Sequence, residues 1–257
     1  MDVPAEIDTL IRDWALKYNV AVLLSVHGAK GSQSGNDHSA PTVKGKAFWS
    51  DYPENVNSTI YVSKFLADRY KDDAAFLGIE LLNEPTSTTN ESVMTNYYER
   101  AYHAIRDSGN DCVLTVMPLL YKQKPESLKT FMEGPKYSNV WLEWHPYFIW
   151  GYQNSRATEL LDQVIPTEYR NKMHEWLGQN STKKMFFGEW SLANAGQFKR
   201  ANAESFEKYA TAQVKIMDTA TAGWAYWSWR VEGDDYFNGW SMRSVLRDEP
   251  LRKIVMQ

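Results

Sequence analysis

Short apolar runs alternate with helical stretches along the whole of this 257-residue chain, and few folds tolerate that pattern. Residues 5–18 place Ile7, Leu10, Ile11 and Trp14 at a helical period, and 20–26 follow as a buried strand ending at His27-Gly28. Helix 58–70 precedes strand 76–82, helix 94–108 precedes strand 112–117, and a helical piece around 127–132 leads to strand 140–144. Helix 168–177, strand 184–188, helix 203–217 and strand 223–229 complete the series. The stretch 28–50, rich in Gly, Ser and Asn, reads as a long functional loop. Strict alternation of this kind implies parallel strands with helices outside them. The predicted fold is α/β, a TIM (β/α)8-type barrel with about six of the eight βα units present, as a single domain over 1–257.

The polar residues that carry chemistry (His27, Asn83, Glu84, His145, Tyr147, Glu189 and Trp227) all fall at the carboxyl ends of predicted strands, where a βα-barrel places its active site. A doubly wound sheet would need a phosphate-binding glycine turn. Gly28-Ala29-Lys30-Gly31 fits neither the dinucleotide nor the P-loop spacing. Two of the strands end in a glutamate. One leads into Asn83-Glu84-Pro85 and the other into Glu189-Trp190. Paired carboxyl groups delivered in this way are what acid-assisted cleavage of a glycosidic bond requires.

Composition excludes several other classes. A net charge of −4 leaves no basic field for nucleic acid. No apolar stretch approaches the roughly 18–20 residues of a membrane span, and the start from Met1 to Asp13 lacks the pattern of a signal peptide. Cys112 is the single cysteine, so no internal disulfide can form. Eleven tryptophans are an unusual number, and indole faces both stack on sugar rings and fill cores. Three Asn-x-Ser/Thr sequons, at Asn57, Asn90 and Asn180, hint at a secretory route.

Five segments in order, HGAKGSQSGND (27–37), GIELLNEP (78–85), EWHPY (143–147), GEWS (188–191) and GWAYWSWRVE (223–232), resemble glycoside hydrolase family 5, most closely its exo-β-1,3-glucanase branch. The resemblance implies a retaining mechanism with Glu84 as general acid/base and Glu189 as nucleophile. It implies that Asn83 hydrogen-bonds the sugar 2-hydroxyl, that Tyr147 holds the nucleophile carboxylate, and that His27 and His145 bind sugar hydroxyls and orient the carboxyls. Trp227 matches the platform beneath the reacting sugar, with a cis peptide to Ser228. Trp49, Trp150, Trp190 and Trp240 are candidates for outer subsites or for packing. In the fungal enzymes of that branch a phenylalanine that flanks the pocket entrance usually stands where this chain has Asn36, which cannot do so, and Trp150 occupies the region of a second entrance aromatic.

Glu80, four strand residues before Glu84 and so roughly 13 Å deeper, is expected inside the barrel rather than at the reacting bond. Glu143, two residues below His145, is expected to support that ring. The resemblance further implies that the chain begins around the second helix of the family barrel, with two strands upstream of Met1. No cofactor and no metal are expected, since His38, His103 and His174 supply no ligand spacing. The expected partner is a β-glucan, acted on by a monomer in the extracellular space or cell wall, with glucose released from the chain end. The alternatives are an endo-glucanase of the same family acting on β-1,4 or β-1,6 links, and an inactive, truncated glucan-binding protein.

Overall fold

The computed structural model describes residues 5–257. The chain divides into two compact units, one formed by residues up to 123 with 130–142, the other by 124–129 with 143–257.

In the first unit the helical run 5–18 leads into β1 (Val22–Ser25), helix Pro53–Tyr70 into β2 (Phe76–Glu80), and helix Glu91–Arg106 into β3 (Val113–Val116). β4 (Val140–Trp144) begins in this unit. β1–β2, β2–β3 and β3–β4 all pair in parallel, with Ser25 beside Glu80, Glu80 beside Thr115 and Val116 beside Leu142. That register brings the residues following β1 and β2 out together at one carboxyl edge. β3 is buried at every residue, as a central parallel strand with covered faces should be. Gly78 permits the close approach of β2 to β3, because a Cβ there would overlap the Val113 backbone.

Helix Glu91–Arg106 shows why the sequence folds this way locally. Asn90 caps it, its side-chain oxygen accepting from the amides of Ser92 and Val93 at 3.0 and 3.3 Å. Met94, Tyr97, Tyr98, Ala101, Tyr102 and Ile105 form one buried stripe at helical spacing. Two of these tyrosines end on strand termini. Tyr97 Oη donates to the Leu81 carbonyl at 2.6 Å and Tyr98 Oη to that of Met117 at 2.9 Å.

In the second unit the end of β4 is followed by the helical run 157–177, β5 (Lys184–Trp190), helix Ala203–Met217 and β6 (Trp224–Tyr226). β5 and β6 are parallel, with Phe187 beside Trp224 and Trp190 beside Tyr226. Helices Met242–Arg247 and Glu249–Val255 close the chain, each capped by the side chain of the residue before it, Ser241 and Asp248. Among the described residues no helix is long and apolar enough to cross a membrane.

Three expectations are corrected. The piece at 127–132 is a series of turns, because Leu128 and Met132 hold left-handed φ of 53° and 48° that a helix cannot propagate. The Lys129 carbonyl instead accepts from Lys183 Nζ at 3.0 Å. The helix expected from 168 starts at 157, since the wider π winding of Leu160–Tyr169 carries Pro166 within it. β5 runs two residues further than expected, so Glu189 and Trp190 are strand residues rather than the start of a loop.

Candidate functional site

In the first unit the carboxyl ends of β1 and β2 are joined directly. The Val26 amide donates to the Glu80 carbonyl at 3.0 Å and the Asn83 amide to the Val26 carbonyl at 3.1 Å. Gln33, fully buried in the loop after β1, locks this arrangement: its Nε2 donates to the carbonyls of His27 (2.9 Å) and Asn83 (2.7 Å), while its Oε1 accepts from the Ala29 amide (3.1 Å). Glu84 follows with a left-handed φ of 44°, a conformation costing a non-glycine residue about 1–3 kcal/mol. Its carboxylate Oε2 lies 3.6 Å from His38 Nε2. The rings of His27 and His38 meet edge to face at 5.7 Å, and Ser25 Oγ sits 3.3 Å from His27 Nδ1. Asn83 is 1% exposed, yet neither polar atom of its amide meets a hydrogen-bond partner among the described residues.

In the second unit Tyr147 Oη donates to Glu189 Oε2 at 2.8 Å, and His145 Nδ1 lies 3.7 Å from the same oxygen. His145 Nε2 is 3.2 Å from Glu143 Oε1, with both side chains almost wholly buried. An imidazolium would present one N–H to each carboxylate. Gly188 makes room for this chain, since a Cβ at that position would overlap the Glu143 carboxylate. Beside Glu189, Tyr147 packs against Trp150 and Trp240 at ring separations of 5.3 and 5.6 Å, and Trp150 is 61% exposed.

Trp240 is held by the loop after β6. The Ser228 amide donates to its carbonyl at 2.7 Å, and buried Asp234 accepts from Ser241 Oγ at 2.6 Å and from Arg243. The Arg243 guanidinium, then the Ser241 hydroxyl, keep the Asp234 carboxyl well below the usual carboxylate range. Trp227 is 41% exposed and its peptide bond to Ser228 is cis.

The structure therefore brings His27, Asn83 and Glu84 together in one unit, and His145, Tyr147, Trp150 and Glu189 together in the other. Two outer-subsite candidates are corrected. Trp49 is fully buried, its Nε1 donating to Thr59 Oγ1 at 2.9 Å and its ring set edge-on against Tyr97. Trp190 is fully buried between Trp224 and Tyr226. Two residues escaped the sequence reading. Gln33 lies inside the 27–37 motif, but a glutamine in a polar loop announces no partner. His38 lies one residue beyond that motif, and its spacing from the other histidines announces no ligand set.

A model of the cellulase family, glycosyl hydrolase family 5, matches residues 5–233. A glucan 1,3-beta-glucosidase of Blumeria graminis is 26% identical over 284 residues, an alignment spanning 95% of this chain and 65% of that protein. One from Pichia angusta is 24% identical over 274 residues, spanning 91% and 61%. The chain thus covers a little under two thirds of the length of these relatives. Among solved structures, rutinosidase from Aspergillus niger superposes with a TM-score of 0.77 at 15% identity, over 98% of this chain and 75% of that one. An endoglucanase of the hyperthermophilic Thermotoga maritima gives 0.66 at 19% identity, over 99% and 78%. The fold is that of a partial (β/α)8-type barrel with six parallel strands.

Proposed function

The chain belongs to glycosyl hydrolase family 5, and from that premise we propose a retaining glycoside hydrolase in which Glu84 is the general acid/base and Glu189 the nucleophile. The observation that carries the reading is the treatment of Glu189: a tyrosine hydroxyl at 2.8 Å favours the ionised carboxylate a nucleophile needs. In the first step Glu189 attacks the anomeric carbon while the Glu84 carboxyl gives its proton to the departing glycosidic oxygen. The products are a glycosyl ester on Glu189 and the freed leaving group. In the second step Glu84, now a carboxylate, takes a proton from water as that water attacks the same carbon, releasing the sugar and restoring both groups. This chemistry needs the two carboxyls about 5–5.5 Å apart. Asn83 meets the sugar 2-hydroxyl, His27 and His145 bind neighbouring hydroxyls, Trp227 lies beneath the ring, and Trp150 flanks the leaving-group side.

The substrate proposed is a β-1,3-glucan cut from its end with release of glucose. The naming of the Blumeria graminis and Pichia angusta relatives supports that choice, and an extracellular or cell-wall location goes with it. Glu84→Ala tests the acid/base assignment. The variant should lose activity on laminarin, keep kcat/KM on 2,4-dinitrophenyl β-glucoside while its kcat falls for want of the base, and regain turnover with formation of β-glucosyl azide when azide is added. Equal loss on both substrates with no azide product would refute the assignment. Glucose as the sole early product from laminarin supports action at the chain end, and mixed oligosaccharides would replace it with internal cleavage.

A further inference from the structure

We propose that His38 is a positioning residue for the general acid, holding Oε2 of the Glu84 carboxyl so that Oε1 carries the proton delivered to the leaving group. This rests on the assignment of Glu84 above. The proton on His38 can be located from its neighbours. We assign the single hydrogen of Ser39 Oγ to the Asn36 carbonyl, 2.9 Å away. Ser32 Oγ and Ser34 Oγ lie 2.6 and 2.7 Å from Ser39 Oγ, and in this arrangement they are the donors of those two bonds. Ser34 Oγ, its hydrogen now spent, accepts from the Asn36 amide at 3.1 Å and meets His38 Nε2 at 3.1 Å. In that arrangement His38 Nε2 bears the hydrogen. That same nitrogen lies 3.6 Å from Glu84 Oε2.

The N–H is shared between a hydroxyl that cannot donate back and a carboxyl oxygen just beyond hydrogen-bond length, a separation that closes readily when a ligand settles the site. A protonated carboxyl facing an N–H turns its carbonyl oxygen toward it. Oε2 is then the acceptor and Oε1 the hydroxyl. When the proton leaves in the first step, the charge that develops on Glu84 meets a donor already in place, and no reorganisation is needed. The loop is built for this placement. Ser32, Ser34 and Ser39 are buried, Gly35 N donates to Ser32 Oγ at 2.9 Å, and the ring of His27 stands edge-on to His38.

The test compares His38→Leu, which removes the donor, with His38→Gln, whose amide N–H reaches the place of Nε2. Each is assayed on methyl β-glucoside or laminaribiose, whose leaving groups need protonation, and on 2,4-dinitrophenyl β-glucoside, whose leaving group does not. For His38→Leu, kcat/KM should fall at least about tenfold further on the first pair than on the dinitrophenyl substrate, a fraction of the usual general-acid contribution. His38→Gln should recover most of the difference. Activity on the dinitrophenyl substrate also reports that each variant is folded. Equal losses on both substrate types, or no loss, would overturn the role of His38 and leave the assignment of Glu84 standing. Wild-type protein inactive on every substrate would overturn both, and the two failures are thereby told apart.

Discussion

Gly188→Ala is the substitution whose cost follows most directly from atomic positions. The new methyl group would occupy the space of Glu143 Oε1. Glu143 cannot swing away to solvent, being 2% exposed and engaged with His145 Nε2 at 3.2 Å. The β5 backbone must shift and the Glu143–His145 contact must break. Overpacking of a filled core costs about 1–3 kcal/mol, and a lost hydrogen bond to a charged group adds about 1.5–3 kcal/mol. A total of roughly 2.5–6 kcal/mol corresponds to a melting temperature lower by about 5–24 °C for a chain of this size. Urea unfolding followed by circular dichroism, with differential scanning calorimetry, measures it. The steric origin is separable by a double-mutant cycle. With Glu143→Ala already present, the added methyl at 188 should cost less than about 1 kcal/mol, since the space has been vacated. With Glu143→Gln, which keeps the volume, the overpacking cost of about 1–3 kcal/mol should return. An undiminished penalty in the Glu143→Ala background would refute the argument.

Two further outcomes are expected. Tyr147→Phe removes one charge-assisted hydrogen bond worth about 1.5–3 kcal/mol, so kcat/KM on laminarin should drop roughly 10- to 100-fold. Asp8 is held at about 2, against an ordinary 3.8, chiefly by its hydrogen bond to Arg69 and then by Tyr70. A depressed folded value means that the stabilisation is full above 3.8 and is lost as pH falls through about 2. Stability curves of wild type and Asp8→Asn should therefore converge across that window, and a gap that persists at pH 2 would contradict the linkage.

Much of the frame was legible in the chain. β4 and helix Ala203–Met217 have the bounds that apolar periodicity predicts, because each is a regular element with one clear period. Local chemistry explains the departures. Pro166 hid the first half of the run 157–177, since proline ends an ordinary α-helix but is carried in the wider winding found here. The two closing helices are short, and their signals, Ser241 and Asp248 as caps with Pro250 in the first turn, carry little periodicity. At the candidate site, strand-end position identified Glu84, Glu189, His145 and Tyr147, because a strand terminus fixes where a side chain emerges. Gln33 and His38 act through a folded loop, where partners 50 and 46 residues away in sequence leave no spacing to read. Burial likewise separated Trp49 and Trp190 from Trp150, a distinction that residue type alone does not carry.

The most direct measurement is intact mass and peptide mapping of the protein after exposure to 2,4-dinitrophenyl 2-deoxy-2-fluoro-β-glucoside, a reagent that forms the glycosyl-enzyme readily and releases it slowly. One fluoroglucosyl group per chain, mapped to the peptide containing Glu189 and absent from Glu189→Gln, is the predicted result. No adduct under conditions in which the protein cleaves laminarin, or an adduct on another carboxylate, would contradict the assignment of Glu189 as nucleophile.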